Sequence, residues 1–136
     1  VFIMKIVGFN FKKLNIEKTS DKFESLKINT NIDITNVKQI KPEIFQSKEE
    51  IVEVEFDYFI NYDPDIAKLS LSGTILVMAE SKIIKDFIKQ WKQKKLPEEH
   101  RILIFNVILK KSNLKAMQLE DELNLPLHIP LPSVKE

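Results

Sequence analysis

The sequence holds two histidines, His100 and His128, and no cysteine. Neither imidazole has a second ligand at metal-binding spacing, so no zinc-type donor set, disulfide or thiolate nucleophile can be assembled. Both histidines read as surface polarity. Asp63 and Asp65 bracket Pro64 and could offer oxygens to a hard cation, but the calcium-loop pattern with its central glycine is missing, and a turn is the better reading. Gly8 and Gly73 stand alone, which leaves no phosphate-cradling glycine loop and no Gly-x-Ser-x-Gly elbow. Glu53, Glu55 and Asp57 recur at every second position, placing three carboxylates on one side of a strand without surroundings that would poise one of them for acid–base chemistry. These residues predict no catalytic centre, no metal and no cofactor.

Lysines form the remaining polar pattern. Lys82, Lys85, Lys89 and Lys92 fall three and four apart, on the helix face opposite Ile84, Phe87, Ile88 and Trp91. Such a face could meet phosphate or an anionic membrane, with a steep salt dependence. No arginine fork or interleaved aromatic accompanies it, so a solvated helix face is preferred and a nucleic-acid or anionic-surface module is the alternative reading. The whole chain gives no global field, with 21 basic and 20 acidic side chains and a net charge of +1.

The elements that carry these residues follow from hydrophobic period. The first part of the chain alternates with period two and residues 81–123 follow helical spacing, which predicts an α+β fold with an antiparallel sheet. Strands are expected over residues 4–16, with a bulge near Lys12-Lys13, over 26–34, over 51–60, where Val52, Val54, Phe56, Tyr58 and Ile60 share a face, and over 69–77. Short connections suggest a four-stranded meander. Ser81 is the expected N-cap of a first helix. Pro97 with Glu98 and Glu99 opens a second, in which residues 101–109 are apolar nearly all round and Ser112-Asn113 would kink or end it. From Leu125 repeated prolines impose an extended tail.

At 136 residues the chain reads as a single domain, 1–136. No apolar run approaches the length of a membrane span, and the opening Val1-Phe2-Ile3-Met4, broken by Lys5, is not a signal peptide, so a cytoplasmic location is expected. Large apolar residues exceed what one sheet face covers: Phe45 and Phe59, the latter sharing a side with Glu53, Glu55 and Asp57, and the tail around Leu127 and Ile129. Exposed apolar surface marks an interaction site. Phe9, Phe11, Phe56, Phe59, Leu127 and Ile129 are therefore candidates for apolar grooves, and Ile84, Phe87, Ile88 and Trp91 for an oligomer interface in the helical layer.

The order of four strands, a glycine-bearing fourth strand at Gly73, a first helix, a long second helix and then Leu125-Pro126 with Pro132 six residues on resembles the SecB-type protein-export chaperone family. The resemblance implies four antiparallel strands with helices beyond them, assembly as a dimer of dimers, and ATP-independent holding of unfolded polypeptide in apolar grooves, without catalysis. Leu125 stands where the family has an aromatic residue. The family is acidic and meets the SecA motor through that charge; this chain is near neutral with lysines on its first helix, which weighs against delivery to such a motor and leaves Glu53, Glu55 and Asp57 as the local candidates for that contact. An antitoxin-associated SecB-like chaperone is the variant kept open, and a small-ligand pocket on the sheet is a further rival.

Overall fold

The computed structural model describes residues 4–40 and 49–134. Strands β1 (Lys5–Lys18), β2 (Lys27–Ile40), β3 (Glu49–Asp63) and β4 (Ala67–Glu80) precede helices α1 (Ser81–Trp91) and α2 (Glu98–Glu122). Four antiparallel strands followed by two helices and an extended tail is the class the sequence predicts. Phe45 and residues 1–3 lie outside the described residues.

The strand order is β1-β4-β3-β2, which corrects the expected meander. Consecutive strands pair from β2 to β4, but β1 pairs with β4 instead of β2. The amides of Thr19 and Ser20 both donate to the Ile66 carbonyl, at 2.8 and 3.3 Å, and so fix the end of β1 beside the start of β4. The following connection then carries the chain to the opposite edge of the sheet. Strand β2 continues well past Ile34 because a register shift between Ile34 and Asn36 turns Val37, in place of Asn36, toward the core.

One sheet face is dry. Val52, Val54, Phe56, Tyr58, Ile60 and Tyr62 of β3 and Leu69, Leu71, Ile75 and Val77 of β4 are all buried. The other face is polar and cross-linked: Ser72 Oγ donates to Asp57 Oδ1 at 2.8 Å, and Lys38 Nζ lies 3.5 Å from Glu53 Oε1 and 3.9 Å from Glu55 Oε1. At Gly73, β1 comes so close that a Cβ would stand 2.4 Å from the Asn10 carbonyl oxygen and 3.0 Å from Phe56 Cζ.

Helix α1 lies over β2, β3 and β4 and buries Ile83, Ile84 and Phe87. Its N-cap is Glu80, which makes no side-chain capping bond; the expected cap, Ser81, is the first helical residue and donates from Oγ to Glu50 Oε1 at 3.1 Å. Pro97 caps α2, and Glu98 and Glu99 occupy its first turn as expected. The helix runs unbroken through Ser112-Asn113, so it does not end there. Its buried residues Ile104, Ile108, Ser112, Ala116 and Glu120 recur at every fourth position. Four residues exceed one turn, so this contact line winds about 40° per step around the axis. Within residues 101–109 only Ile104 and Ile108 are buried, while Ile102 and Leu109 stay exposed, so the apolar character of that stretch on its other sides is not fully matched by packing among the described residues.

Candidate functional site

Strand β2 is an edge strand, and an open hollow of about 260 Å³ lies between it and the helices. Ile32, Asp33 and Ile34 supply one wall, Trp91, Lys94 and Leu96 the second, and Arg101 and Phe105 of α2 the third. Trp91 and Phe105 are only partly buried, and a second shallow hollow, of about 270 Å³, continues past Arg101 and Phe105 to Ile102 and Asn106. Together they form a trough with an apolar floor and a strand edge along one side. Lys94 Nζ sits 4.7 Å from the centroid of the Trp91 ring, within cation–π range.

At the other edge of the same face, Phe9, Phe11 and Phe56 meet, with centroids 4.9 Å apart for Phe9–Phe11 and 5.4 Å for Phe9–Phe56. Phe56 is buried, while Phe9 and Phe11 remain partly open. Phe59 is 39% exposed on the opposite, polar face, away from both groups. Of the stripe on α1, Ile84 and Phe87 are enclosed in the chain's own core and Ile88 and Trp91 stand at its margin. Residues Leu127 and Ile129 are half-buried in the tail.

The tail is held by a polar cluster that the sequence pattern does not reveal. Tyr58 Oη donates to Asn113 Oδ1 at 2.6 Å and lies 3.0 Å from His128 Nε2, which is also 3.0 Å from Asn113 Oδ1. His128 Nδ1 is 2.8 Å from Glu120 Oε1, and the His128 amide donates to Glu120 Oε2 at 3.1 Å. The His128 side chain is 4% exposed and that of Glu120 0%, so the expected surface role of this histidine is corrected. Burial, with the Glu120 carboxylate adding to it, pushes the Tyr58 phenol well above its ordinary range. The Lys18 ammonium donates to the Leu123 carbonyl at 3.0 Å and closes the end of α2 against β1. The other histidine, His100, packs against Phe87 with its Nδ1 buried and without a hydrogen-bond partner among the described residues; burial lowers its pKa, opposed by the nearby Glu99 and Asp86 carboxylates.

Among the described residues no group of three or more His, Asp or Glu side chains is placed to hold a metal ion, and no helix is long and apolar enough to cross a membrane. The trough was only partly legible beforehand. Helical spacing marks Trp91, but nothing in the pattern of the 26–34 strand or of the residues before Pro97 marks Ile32, Ile34 or Leu96 as its neighbours. Their common wall depends on β2 being an edge.

No family model and no curated protein matches the chain. Among solved structures, the SecB-like chaperone Rv1957 of Mycobacterium tuberculosis, in complex with a ChAD peptide from the Rv1956 HigA1 antitoxin, superposes with a TM-score of 0.60 over 97% of this chain and 90% of that one. The fold is SecB-like. Identity is 11%, so what the likeness transfers is the arrangement of strands and helices.

Proposed function

We propose that this protein is an ATP-independent chaperone of the holdase type, which takes extended apolar segments of non-native polypeptide and keeps them from aggregating without catalysing a reaction. The observation that carries the reading is the trough at the edge strand β2, where Ile32, Ile34, Trp91, Leu96 and Phe105 offer an apolar floor beside strand backbone that pairs on one side only among the described residues. A segment lying there can add backbone hydrogen bonds to β2 while its side chains enter the hollow, which gives affinity with little sequence demand. Apolar burial contributes roughly 25 cal/mol per Å² before the cost of ordering the segment. The Phe9–Phe11 ledge extends apolar contact to the opposite edge. The SecB-like fold supports the reading, as does the peptide held by the mycobacterial chaperone. Assembly of several copies through the helical layer belongs to the same proposal, and export or antitoxin protection would be its cellular setting.

The test is suppression of aggregation of a reduced, unfolded protein without nucleotide, for the native chain and for Phe105→Ser and Ile34→Ser. Protection by the native chain, weakened several-fold in both variants while their folds persist by circular dichroism, is the expected result. Absence of protection by the native chain overturns the assignment. Undiminished protection by both folded variants overturns the trough.

A further inference from the structure

The wall between α1 and α2 has an unusual composition. From Phe87 to Pro97 there are four lysines, Lys89, Lys92, Lys94 and Lys95, and no acidic residue. All four are exposed, and so is Arg101 across the hollow. Lys94 and Arg101 both line the trough, and neither forms an ion pair among the described residues. The one acidic lining residue is Asp33, on the β2 side. A chain with a net charge of +1 thus places two cations, Lys94 and Arg101, on the helix side of the trough, with three further lysines close by in sequence. We infer that the trough selects extended polypeptide segments in which a large apolar side chain is flanked by carboxylates, so that acidic, apolar stretches are its preferred ligands.

The chemistry of each group supports that class. Lys94 is held over the Trp91 ring, which keeps its ammonium at the margin of the apolar floor. Arg101 lies where the two hollows meet, and its planar fork suits a carboxylate in paired hydrogen bonds. With the strand edge on one side and cations on the other, a bound segment would present apolar side chains to the floor and neighbouring carboxylates to the helix side. A lysine-flanked segment would bring like charge against that wall. Because these cations are exposed, the preference must weaken as salt shortens the range of the interaction.

This inference rests on the trough being the polypeptide site, and the experiment separates the two. Trp91 is the single tryptophan, so its fluorescence reports on the trough in the intact protein. Four tryptophan-free peptides are titrated: a Leu-Phe-Leu centre flanked by Glu, the same centre flanked by Ser or by Lys, and a Glu-flanked peptide with a Ser-Ser-Ser centre. The Glu-flanked apolar peptide should bind about tenfold tighter than the Lys-flanked one at low salt, with the gap closing toward molar salt. Arg101→Glu should abolish or reverse the preference, and Lys13→Glu, on the far edge strand, should leave it unchanged. Equal affinity for the Glu- and Lys-flanked apolar peptides, a preference untouched by Arg101→Glu, or equally tight binding of the Glu-flanked serine peptide would overturn the charge selection. Loss of every Trp91 response, while aggregation of a client is still suppressed, would overturn the trough itself.

Discussion

Tyr58 is joined to groups from two other parts of the chain, Asn113 of α2 and His128 of the tail. Burial first, and the Glu120 carboxylate second, raise its pKa above the ordinary 10.0. A folded pKa above the unfolded one lends stability that is complete below the unfolded value and is lost as pH rises beyond it. Urea stability should therefore show an alkaline decline beginning near pH 10, and Tyr58→Phe should flatten that decline while costing about 1–2 kcal/mol at neutral pH. The urea midpoint across a pH series measures both. His100 acts in the opposite sense, because burial lowers its pKa from the ordinary 6.5. Its share of stability is present above that value and is lost as pH falls, so His100→Gln should reduce the acid-side loss in the same series. Glu120→Ala would remove the acceptor of two His128 hydrogen bonds in a nearly closed site; we expect a loss on the order of 1–3 kcal/mol by urea unfolding and faster proteolytic removal of the tail. None of this cluster was legible in the sequence, since Tyr58 lies 55 positions from Asn113 and 70 from His128. Period and spacing describe neighbours on one element and are silent about such partners.

Strand β4 carries its glycine where β1 crosses closest. Gly73→Ala must push its new methyl against the Asn10 carbonyl, which is backbone and cannot swing away, and against the Phe56 ring. Gly8→Ala meets the Leu76 side chain instead of backbone, with Cδ1 at 3.1 Å, Cγ at 3.3 Å and Cβ at 3.4 Å. We expect Gly73→Ala to cost about 3 kcal/mol and Gly8→Ala less than about 1 kcal/mol in urea unfolding, a contrast set by which neighbour can give way. The strands themselves were legible because half-buried alternation is strong in β3 and β4, where one face is dry and the other polar. The end of β2 was hidden by the shift at Thr35, which moves the apolar residues to the other parity. Helix α2 was legible as a helix from its proline and glutamates. Its continuity through Ser112 was not, because burial of Ile108 and Ala116 on either side outweighs the weak local preference of one serine.

Across the whole molecule, Ile102, Leu109 and Leu114 of α2 remain 51%, 37% and 54% exposed. Light scattering across the micromolar range should find more than one copy of the chain, and Leu109→Lys combined with Leu114→Lys should shift the mass toward that of one. Fold class was readable from the sequence as strands followed by helices. The position of β1 was not, because the pairing of the first strand in the chain with the fourth depends on distant hydrogen bonds such as that from Thr19 to Ile66. Of the trough only Trp91 was readable, because its other wall depends on β2 lying at the sheet edge. Register shifts fall at Ile6/Gly8 and Phe11/Lys13 of β1 and at Ile34/Asn36 of β2, whereas the central β3–β4 pair has none. Both free borders of the sheet are therefore kinked, and a straight ladder cannot be stacked along either without losing step. An exposed strand border invites copies of a chain to stack edge to edge into a fibre, and these dislocations work against it by bending the backbone away from a regular ladder.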